Sequence, residues 1–374
     1  YDRLNRTYPD SKIIETYGNI TLGNQFTGGR VFDDIPKIDM KAFTDYLHYS
    51  QAKGIDFNYS LNGSCMGNSE FTEEGATQLI RFLEDLYDIG VRRLTIALPS
   101  VIELVKSLGL DFEIKVSIIC QITNANKALT YKNAGAGRIV ADESLNRDFA
   151  NLQRVRQAFG EKTEIIINSM CYKECTYRMF HYNQTAHDSV SKEKPSVLTF
   201  YNHQCMLKRA EAVDNFLKLC WVRPEDLKYY TDIGIHYFKI QGRHTAYKGD
   251  PVRAAEAYFK QSYNGNLIDL LELFGSPYAF KINLDNQKLD GYIKPFFENH
   301  GFCKRFCAEC GYCESFAKKN LDYDGAVTVN NLAKEFYHNY DQYQELISSV
   351  NQQAVRESKE LVATAAQDEG DFDF

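Results

Sequence analysis

The chain has 374 residues, of which 44% are hydrophobic and 25% charged, with 10 cysteines and only 8 prolines. This composition is typical of a globular protein with a large core and excludes an extended disordered chain. The formal net charge of −7 gives no basic surface for nucleic acid, so nucleic-acid binding is unsupported. No apolar run of about eighteen residues is available to span a membrane. The first residues lack the apolar core of a secretory signal, and we expect a cytoplasmic protein.

Predicted strands and helices alternate along the chain. Eight β-rich runs are predicted as strands: Lys12–Tyr17, Asp56–Leu61, Arg93–Leu98, Glu113–Cys120, Gly137–Ala141, Glu164–Asn168, His236–Ile240 and Tyr278–Asn283. The intervening helices are predicted at Met40–Lys53, Glu73–Asp88, Val101–Leu108, Asn124–Asn133, Leu145–Phe159, Pro224–Tyr230 and Arg253–Phe274, the last with a break allowed at Asn264-Gly-Asn266. This alternation predicts an α/β fold, a (β/α)8 TIM-like barrel. The alternative is an open doubly wound sheet, which is disfavoured because no Gly-x-Gly-x-x-Gly follows a strand.

The pattern changes after Pro295. We expect residues 1–298 to form the barrel, residues 299–320 a cysteine-rich segment folded as a compact loop, and residues 321–374 a helical extension. Within the extension, Gly325–Asn331 is predicted as a turn and Leu332 to about Ala366 as a helix. The acidic end, Asp368–Phe374, is predicted to be a solvated tail.

Four cysteines follow the sixth predicted strand, and we call them the first set: Cys171, Cys175, Cys205 and Cys220. In a barrel the catalytic face lies at the carboxyl ends of the strands, so these thiols are predicted to lie on that face. Thiolates bind soft metals, and cysteines in a reducing compartment favour a metal site over disulfides. The alternative is four unrelated buried thiols.

A second set of four cysteines forms a Cys-x3-Cys-x2-Cys-x2-Cys run: Cys303, Cys307, Cys310 and Cys313. Such short gaps are typical of loops that bind a 4Fe–4S cluster, and zinc is the alternative metal. The first three also have the spacing of a radical SAM motif. That reading is disfavoured, because Cys313 would close the iron site that SAM must occupy and the motif normally follows the first strand.

Polar residues at the predicted strand ends are candidates for the site. Asn168, Gln121 and Glu143 are predicted to contact a cofactor, although capping and loop hydrogen bonding would also explain them. Alternation along the seventh strand directs a polar set into the barrel mouth: Lys239, Gln241 and Arg243. Arginine suits carboxylates, so we expect a small anionic substrate or co-substrate there. The alternative is that these groups only satisfy one another.

Several motifs together resemble the collagenase-like U32 peptidase family. They are Val116-Ser-Ile-Ile-Cys-Gln-Ile-Thr-Asn-Ala-Asn126, Arg138-Ile-Val-Ala-Asp-Glu-Ser-Leu145, the first cysteine set, Pro224-Glu-Asp-Leu227 and Phe238-Lys-Ile-Gln-Gly-Arg243. The resemblance covers about residues 90–260. It implies a 4Fe–4S cluster bound by the first set and oxygen-independent hydroxylation of ubiquinone precursors or RNA bases. Two features depart from the family: a shorter gap between the first two cysteines, and Gln241 in place of a glutamate.

Three functional readings follow. The first is a redox enzyme with a cluster in the barrel and a second cluster as an electron-transfer annex, which implies an electron-transfer protein or a homologous partner subunit. The second is a peptidase, but the chain has neither His-Glu-x-x-His nor Gly-x-Ser-x-Gly. Its remaining loop thiol, Cys65, is predicted to be structural. The third is a non-catalytic scaffold whose metals hold loops together.

Overall fold

A computed structural model of the chain describes residues 1–24, 26, 36–190, 197, 200–275, 279–304 and 306–368. Within that part of the chain, seven parallel strands form one sheet. They are β1 Glu15–Gly18, β2 Asp56–Leu61, β3 Arg93–Ile96, β4 Glu113–Val116, β5 Arg138–Val140, β6 Thr163–Ile166 and β7 Tyr237–Lys239. They pair in chain order from β1 to β7. A parallel sheet whose order follows the sequence is the arrangement that a barrel requires.

Side chains link the two outer strands of this curled sheet. The Tyr17 hydroxyl of β1 donates to the Ile240 carbonyl just after β7, at 3.2 Å. Arg243 Nη1 donates to Asn19 Oδ1 at 2.6 Å, which joins the chain after β7 to the chain after β1. The two edges therefore lie close together, and the sheet is barrel-like.

Seventeen α-helices surround or follow the sheet in the described residues: α1 Asp2–Thr7, α2 Met40–Ala52, α3 Glu73–Asp88, α4 Pro99–Ser107, α5 Ala125–Asn133, α6 Phe149–Phe159, α7 Arg178–Val190, α8 Phe200–Ala210, α9 Leu227–Thr231, α10 Arg243–Lys248, α11 Pro251–Lys260, α12 Leu267–Leu271, α13 Lys294–Glu298, α14 Cys307–Cys310, α15 Tyr312–Asn320, α16 Tyr323–Asn339 and α17 Gln342–Asp368. None of the described helices is both long and apolar enough to cross a membrane.

Helix α3 shows how local sequence sets these elements. The Thr72 hydroxyl accepts from the Gly75 amide at 3.1 Å and caps the helix. Leu79, Leu83 and Leu86, spaced by four and three residues, are buried on one face. The helix therefore starts at a polar cap and lays an apolar stripe on the sheet.

The two faces of the sheet differ in chemistry because side chains alternate along each strand. Apolar residues such as Tyr59 and Leu94 face the helices and are buried. The opposite face carries charge inside the barrel, where Lys115 Nζ forms ion pairs with Glu15 and, at 2.9 Å, with Glu164. Arg138 lies 3.8 Å from Glu15 and 3.6 Å from Glu164. The barrel interior thus holds a cluster of paired cations and carboxylates.

The first seven predicted strands are confirmed, most of them shorter than predicted, but the eighth is wrong where it is described. Tyr278 lies outside the described residues, and Ala279–Asn283 forms no strand. The Asn266 side chain hydrogen-bonds the backbone of this segment instead. Its nitrogen donates to the Ile282 carbonyl at 3.1 Å, and its oxygen accepts from the Leu284 amide at 3.0 Å. Because this backbone is already paired, the segment does not join the sheet.

One helix prediction is confirmed with its break, and one turn prediction was wrong. The stretch Arg253–Phe274 is divided into α11 and α12 around the predicted break at Asn264–Asn266, and α11 already ends where Gln261 adopts a left-handed φ of 49°. The turn predicted at Gly325–Asn331 lies inside α16, where Asp322 caps the Gly325 amide at 3.2 Å. Helix α16 packs on α8, so the helical extension contacts the region of the first cysteine set.

Candidate functional site

The first set follows the carboxyl end of β6 along the chain. Cys171 follows that strand, Cys175 precedes α7, and Cys205 lies on α8. The Cys220 amide donates to the Cys171 carbonyl at 2.9 Å, so these two residues lie side by side. All ten cysteines are free thiols.

Three thiols of the first set interact electrostatically. Burial raises the pKa of Cys171 well above its usual range; Glu143 raises it further, Arg178 opposes the shift, and Cys205 and Cys220 add to it. Burial also raises the pKa of Cys220 to about 12, against the influence of Arg147. These buried thiols are therefore protonated on their own, and a metal that binds them must displace protons.

A buried arginine holds the acidic residues next to the first set. Arg178 Nη1 contacts both carboxylate oxygens of Asp142, at 3.0 and 2.9 Å, and lies 3.5 Å from Glu143. Burial raises the pKa of Glu143, and Arg178 and the Cys171 side chain oppose that shift. Glu143, predicted to contact a cofactor, thus lies close to a thiol of the first set.

The second set lines one cavity of about 310 Å³ with all four of its thiols. Contrary to the predicted loop, three of its four cysteines lie on α14 and α15, which are separated by Gly311 with φ 60°. Cys303 lies just before these helices. Burial raises the pKa of Cys313 to about 11. The Lys218 side chain also lines the cavity and places a positive charge near these thiols.

The surroundings of the first set suit a group of negative charge. Across the described ranges, no three His, Cys, Asp or Glu side chains are grouped so as to hold one metal ion. The buried Arg147 and Arg178 would offset the negative charge of thiolates and of a metal group bound to them. A 4Fe–4S group and zinc both stay predictions at these cysteines.

The predicted anion-binding residues Lys239 and Arg243 lie near the mouth of the barrel, but they lie on different elements. Lys239 ends β7 and points inward, with its ammonium 4.2 Å from the centre of the Tyr17 ring. Burial lowers its pKa to about 8, aided by Lys115 and Arg243 and opposed by Glu164 and Glu15. The strand ends there, so alternation does not place Arg243. Instead, Gly242 with φ 121° turns the chain into α10.

Asn168 positions the chain around this mouth. Its amide nitrogen donates to the carbonyls of Gln241 and Leu271 at 2.8 and 3.0 Å, and its oxygen accepts from the Gln241 amide at 2.8 Å. Gln121 has a left-handed φ of 48°, and its carbonyl accepts from Lys127 at 2.9 Å. Contact of Asn168 and Gln121 with a cofactor stays a prediction.

Sequence reasoning missed the buried cations and rings around both sets. Arg147 and Arg178 contact residues tens of positions away, such as Leu219 and Asp142. Tyr292 bonds Cys313, also from a distance in sequence. The sequence offered only a weak indication of these contacts: Arg178 stands three residues after Cys175, and Trp221 directly follows Cys220.

Fold and site together define a barrel-like α/β protein whose first cysteine set begins just beyond the carboxyl end of β6. The sequence signature described as Peptidase family U32 matches residues 22–266. The chain therefore belongs to peptidase family U32, which confirms the resemblance seen in the motifs. The first set lies within the matched residues and the second set beyond them.

A curated relative and a solved structure are similar to the chain. The chain is 30% identical over 279 residues to an "Uncharacterized protease", MJ1657, of Methanocaldococcus jannaschii, covering 74% of this chain and 80% of that protein. The solved structure is titled "The Structure of the U32 Peptidase Mk0906". It covers 50% of this chain and 73% of its own, at 18% identity and a TM-score of 0.42.

Proposed function

We propose that the chain is an iron–sulfur redox enzyme of peptidase family U32 that binds one 4Fe–4S group at each cysteine set. The observation that carries the proposal is the cavity of about 310 Å³ lined by all four thiols of the second set. Bound there, such groups take up and release single electrons. By the motif resemblance, the reaction class is oxygen-independent hydroxylation, or related chemistry, on a small or RNA-borne substrate.

The chain's own residues prepare the first site for a group of negative charge. Arg147 and Arg178 are buried beside the thiols, and buried cations need a compensating negative charge. Asp142 supplies part of that charge to Arg178. Thiolates formed on metal binding would supply the rest.

The substrate end of the proposed site is the mouth of the barrel. Lys239 has no carboxylate at ion-pair distance among the described residues, because Glu15 and Glu164 are paired with Lys115 and Arg138. Arg243 lies at the same mouth, bonded to Asn19. An anionic substrate group would complete this cationic mouth.

Peptidase activity is the second candidate, favoured by the family description and by the name of the Methanocaldococcus relative. A cysteine nucleophile needs a base beside it. The Cys65 thiol accepts from the Gly67 amide at 3.3 Å, and within the described residues no histidine hydrogen-bonds it. This arrangement favours the redox proposal over a Cys65 peptidase.

Anaerobic purification followed by iron, sulfide and zinc analysis tests the proposal. We expect about eight irons and as many sulfides per chain, since each set of four thiols matches the ligand count of one cubane. Stoichiometric zinc without visible absorption would refute it. Cleavage of peptide substrates by metal-free protein, abolished in Cys65→Ala, would favour the peptidase instead.

A further inference from the structure

We propose that Trp221, Tyr292 and Arg147 form a buried bridge that carries single electrons from the second cysteine set to the first. The inference rests on the proposed function, because it requires a redox group at each set. It goes beyond that function by assigning the route between them to three side chains that neither set contains.

The bridge begins at the second set with Tyr292. Its hydroxyl lies 3.2 Å from Cys313 Sγ and donates to the Leu217 carbonyl at 2.7 Å. Once Cys313 is a thiolate, the phenol hydrogen has a second acceptor within reach. Tyr292 is only 1% exposed, so this contact is shielded from water.

Trp221 continues the bridge to the first set. Its ring centroid is 5.7 Å from that of Tyr292, with the rings tilted by 35°. Trp221 directly follows Cys220 in the chain and is 1% exposed. Its indole nitrogen donates to the Phe216 carbonyl at 2.8 Å, which fixes the ring. Two aromatic rings in contact therefore span the space between Cys313 and Cys220.

Arg147 lies against both rings. Its guanidinium is 4.7 Å from the Trp221 ring centre and 5.8 Å from the Tyr292 ring centre. Nη2 donates to the Leu219 carbonyl at 3.2 Å, next to Cys220. A buried cation stabilises added negative charge nearby, so Arg147 lowers the energy of an electron that passes between the two sets by way of Trp221 and Tyr292.

Exposure gives the direction of transfer. Cys307 of the second set is exposed, as is the neighbouring Phe306, whereas the first set has three half-buried thiols and one, Cys220, that is 0% exposed. A one-electron donor from solution therefore meets the second set before the first. In the step itself, the group at the second set is oxidised by one electron and the group at the first set is reduced by one; no covalent bond breaks and no proton is required.

The test follows the loaded full-length chain after mixing with dithionite, with freeze-quench EPR as the readout. In the wild type we expect the signal of the second-set group to appear first and then to decay as the first-set signal rises. Trp221→Leu should leave the first phase unchanged and slow the second phase about tenfold or more, the size of effect that outer-shell changes produce at metal sites.

Matched variants keep the outcome interpretable. Tyr292→Leu removes the other ring of the bridge and should slow the same phase, which provides an independent test if Trp221→Leu does not fold. Tyr258→Leu is the control: Tyr258 is also buried and donates to a backbone carbonyl, that of Val222, at 3.0 Å, and among the described residues no aromatic ring contact joins it to Trp221 or Tyr292. Its second phase should match the wild type.

Two results overturn the inference, and they are distinguishable. If both groups are bound and both bridge variants reduce the first set at the wild-type rate, the bridge is wrong while the two-cluster function stands. If iron analysis shows that wild-type protein binds one group or none, the proposed function fails, and the bridge fails with it.

Discussion

Replacing Lys115 with methionine tests the charge cluster inside the barrel. The side chain of Lys115 is 4% exposed, and those of its partners Glu15 and Glu164 are 8% and 5% exposed. Lys115→Met leaves both carboxylates buried, with Arg138 near both of them and Arg93 at 3.4 Å from Glu15. Removing one partner of a buried pair costs about 3–5 kcal/mol, so we expect a loss of that size in the free energy of unfolding at pH 7.

The loss should depend on pH with a definite sign. Burial opposes ionisation of Glu15, but Lys115 and Arg138 outweigh it and hold the pKa of this carboxyl below its ordinary value of 4.5. In the wild type, this contribution to stability is present above pH 4.5 and is lost as pH falls through the depressed pKa. Without Lys115, the pKa of Glu15 rises. Glu15 is therefore protonated at a higher pH in the variant than in the wild type, and protonation removes its uncompensated buried charge. The difference in the free energy of unfolding between variant and wild type then shrinks as pH falls from 7 toward 4.5.

The assay is urea unfolding followed by tryptophan fluorescence, since Trp221 is the single tryptophan and is buried. Lys162→Met is the matched control. Lys162 also pairs with a glutamate, Glu113, at 3.2 Å, but its side chain is 48% exposed, and exposed pairs contribute about 1 kcal/mol or less. Equal losses in the two variants, or a Lys115→Met loss that does not shrink at low pH, would refute the reasoning.

Three further predictions concern the metal sites and the mouth of the barrel. Air exposure of loaded protein should bleach its visible absorption and lower the melting temperature, because metal-binding free energy is also folding free energy at such sites; an unchanged melting temperature after complete bleaching would contradict this. Arg243→Lys should weaken binding of small di- and tricarboxylates, measured by calorimetry, by about 1.5–3 kcal/mol because the planar fork is lost. Gln241→Glu should also weaken it by adding negative charge; equal affinities in wild type and both variants would show that Arg243 only bonds internal partners such as Asn19. Because burial lowers the pKa of Lys239 to about 8, carboxylate affinity should fall as pH rises through that value, and Lys239→Met should remove this dependence; a pH profile identical in the variant would be the contrary result.

Local patterns in the sequence were enough to predict the first seven strands and the inward direction of Lys239. Both depend on alternation within a single strand, which the sequence displays directly. The spacing of the second set also predicted that its four thiols share one place, because residues on a short run are neighbours whatever the fold.

Features that depend on distant partners could not be predicted. The segment Ala279–Asn283 has a strand-like sequence, but the Asn266 side chain and the Leu267 amide take up the adjoining backbone. Arg147 has no neighbour in sequence that indicates its contacts with Trp221 and Tyr292. The start of α16 was predicted as a turn because Gly325 lies in its first turn and glycine usually disfavours helices. In the structure, Asp322 caps the helix at the Gly325 amide.

The central claim is that two separate cysteine sets each bind one 4Fe–4S group. Mössbauer spectroscopy on anaerobic, ⁵⁷Fe-enriched protein tests it most directly when Cys205→Ala and Cys310→Ala are compared with wild type. We predict about eight cluster irons in the wild type and about four in each variant, since each substitution removes a ligand from one set only. Loss of all cluster iron in either variant, or wild-type protein without cluster iron, would contradict the account.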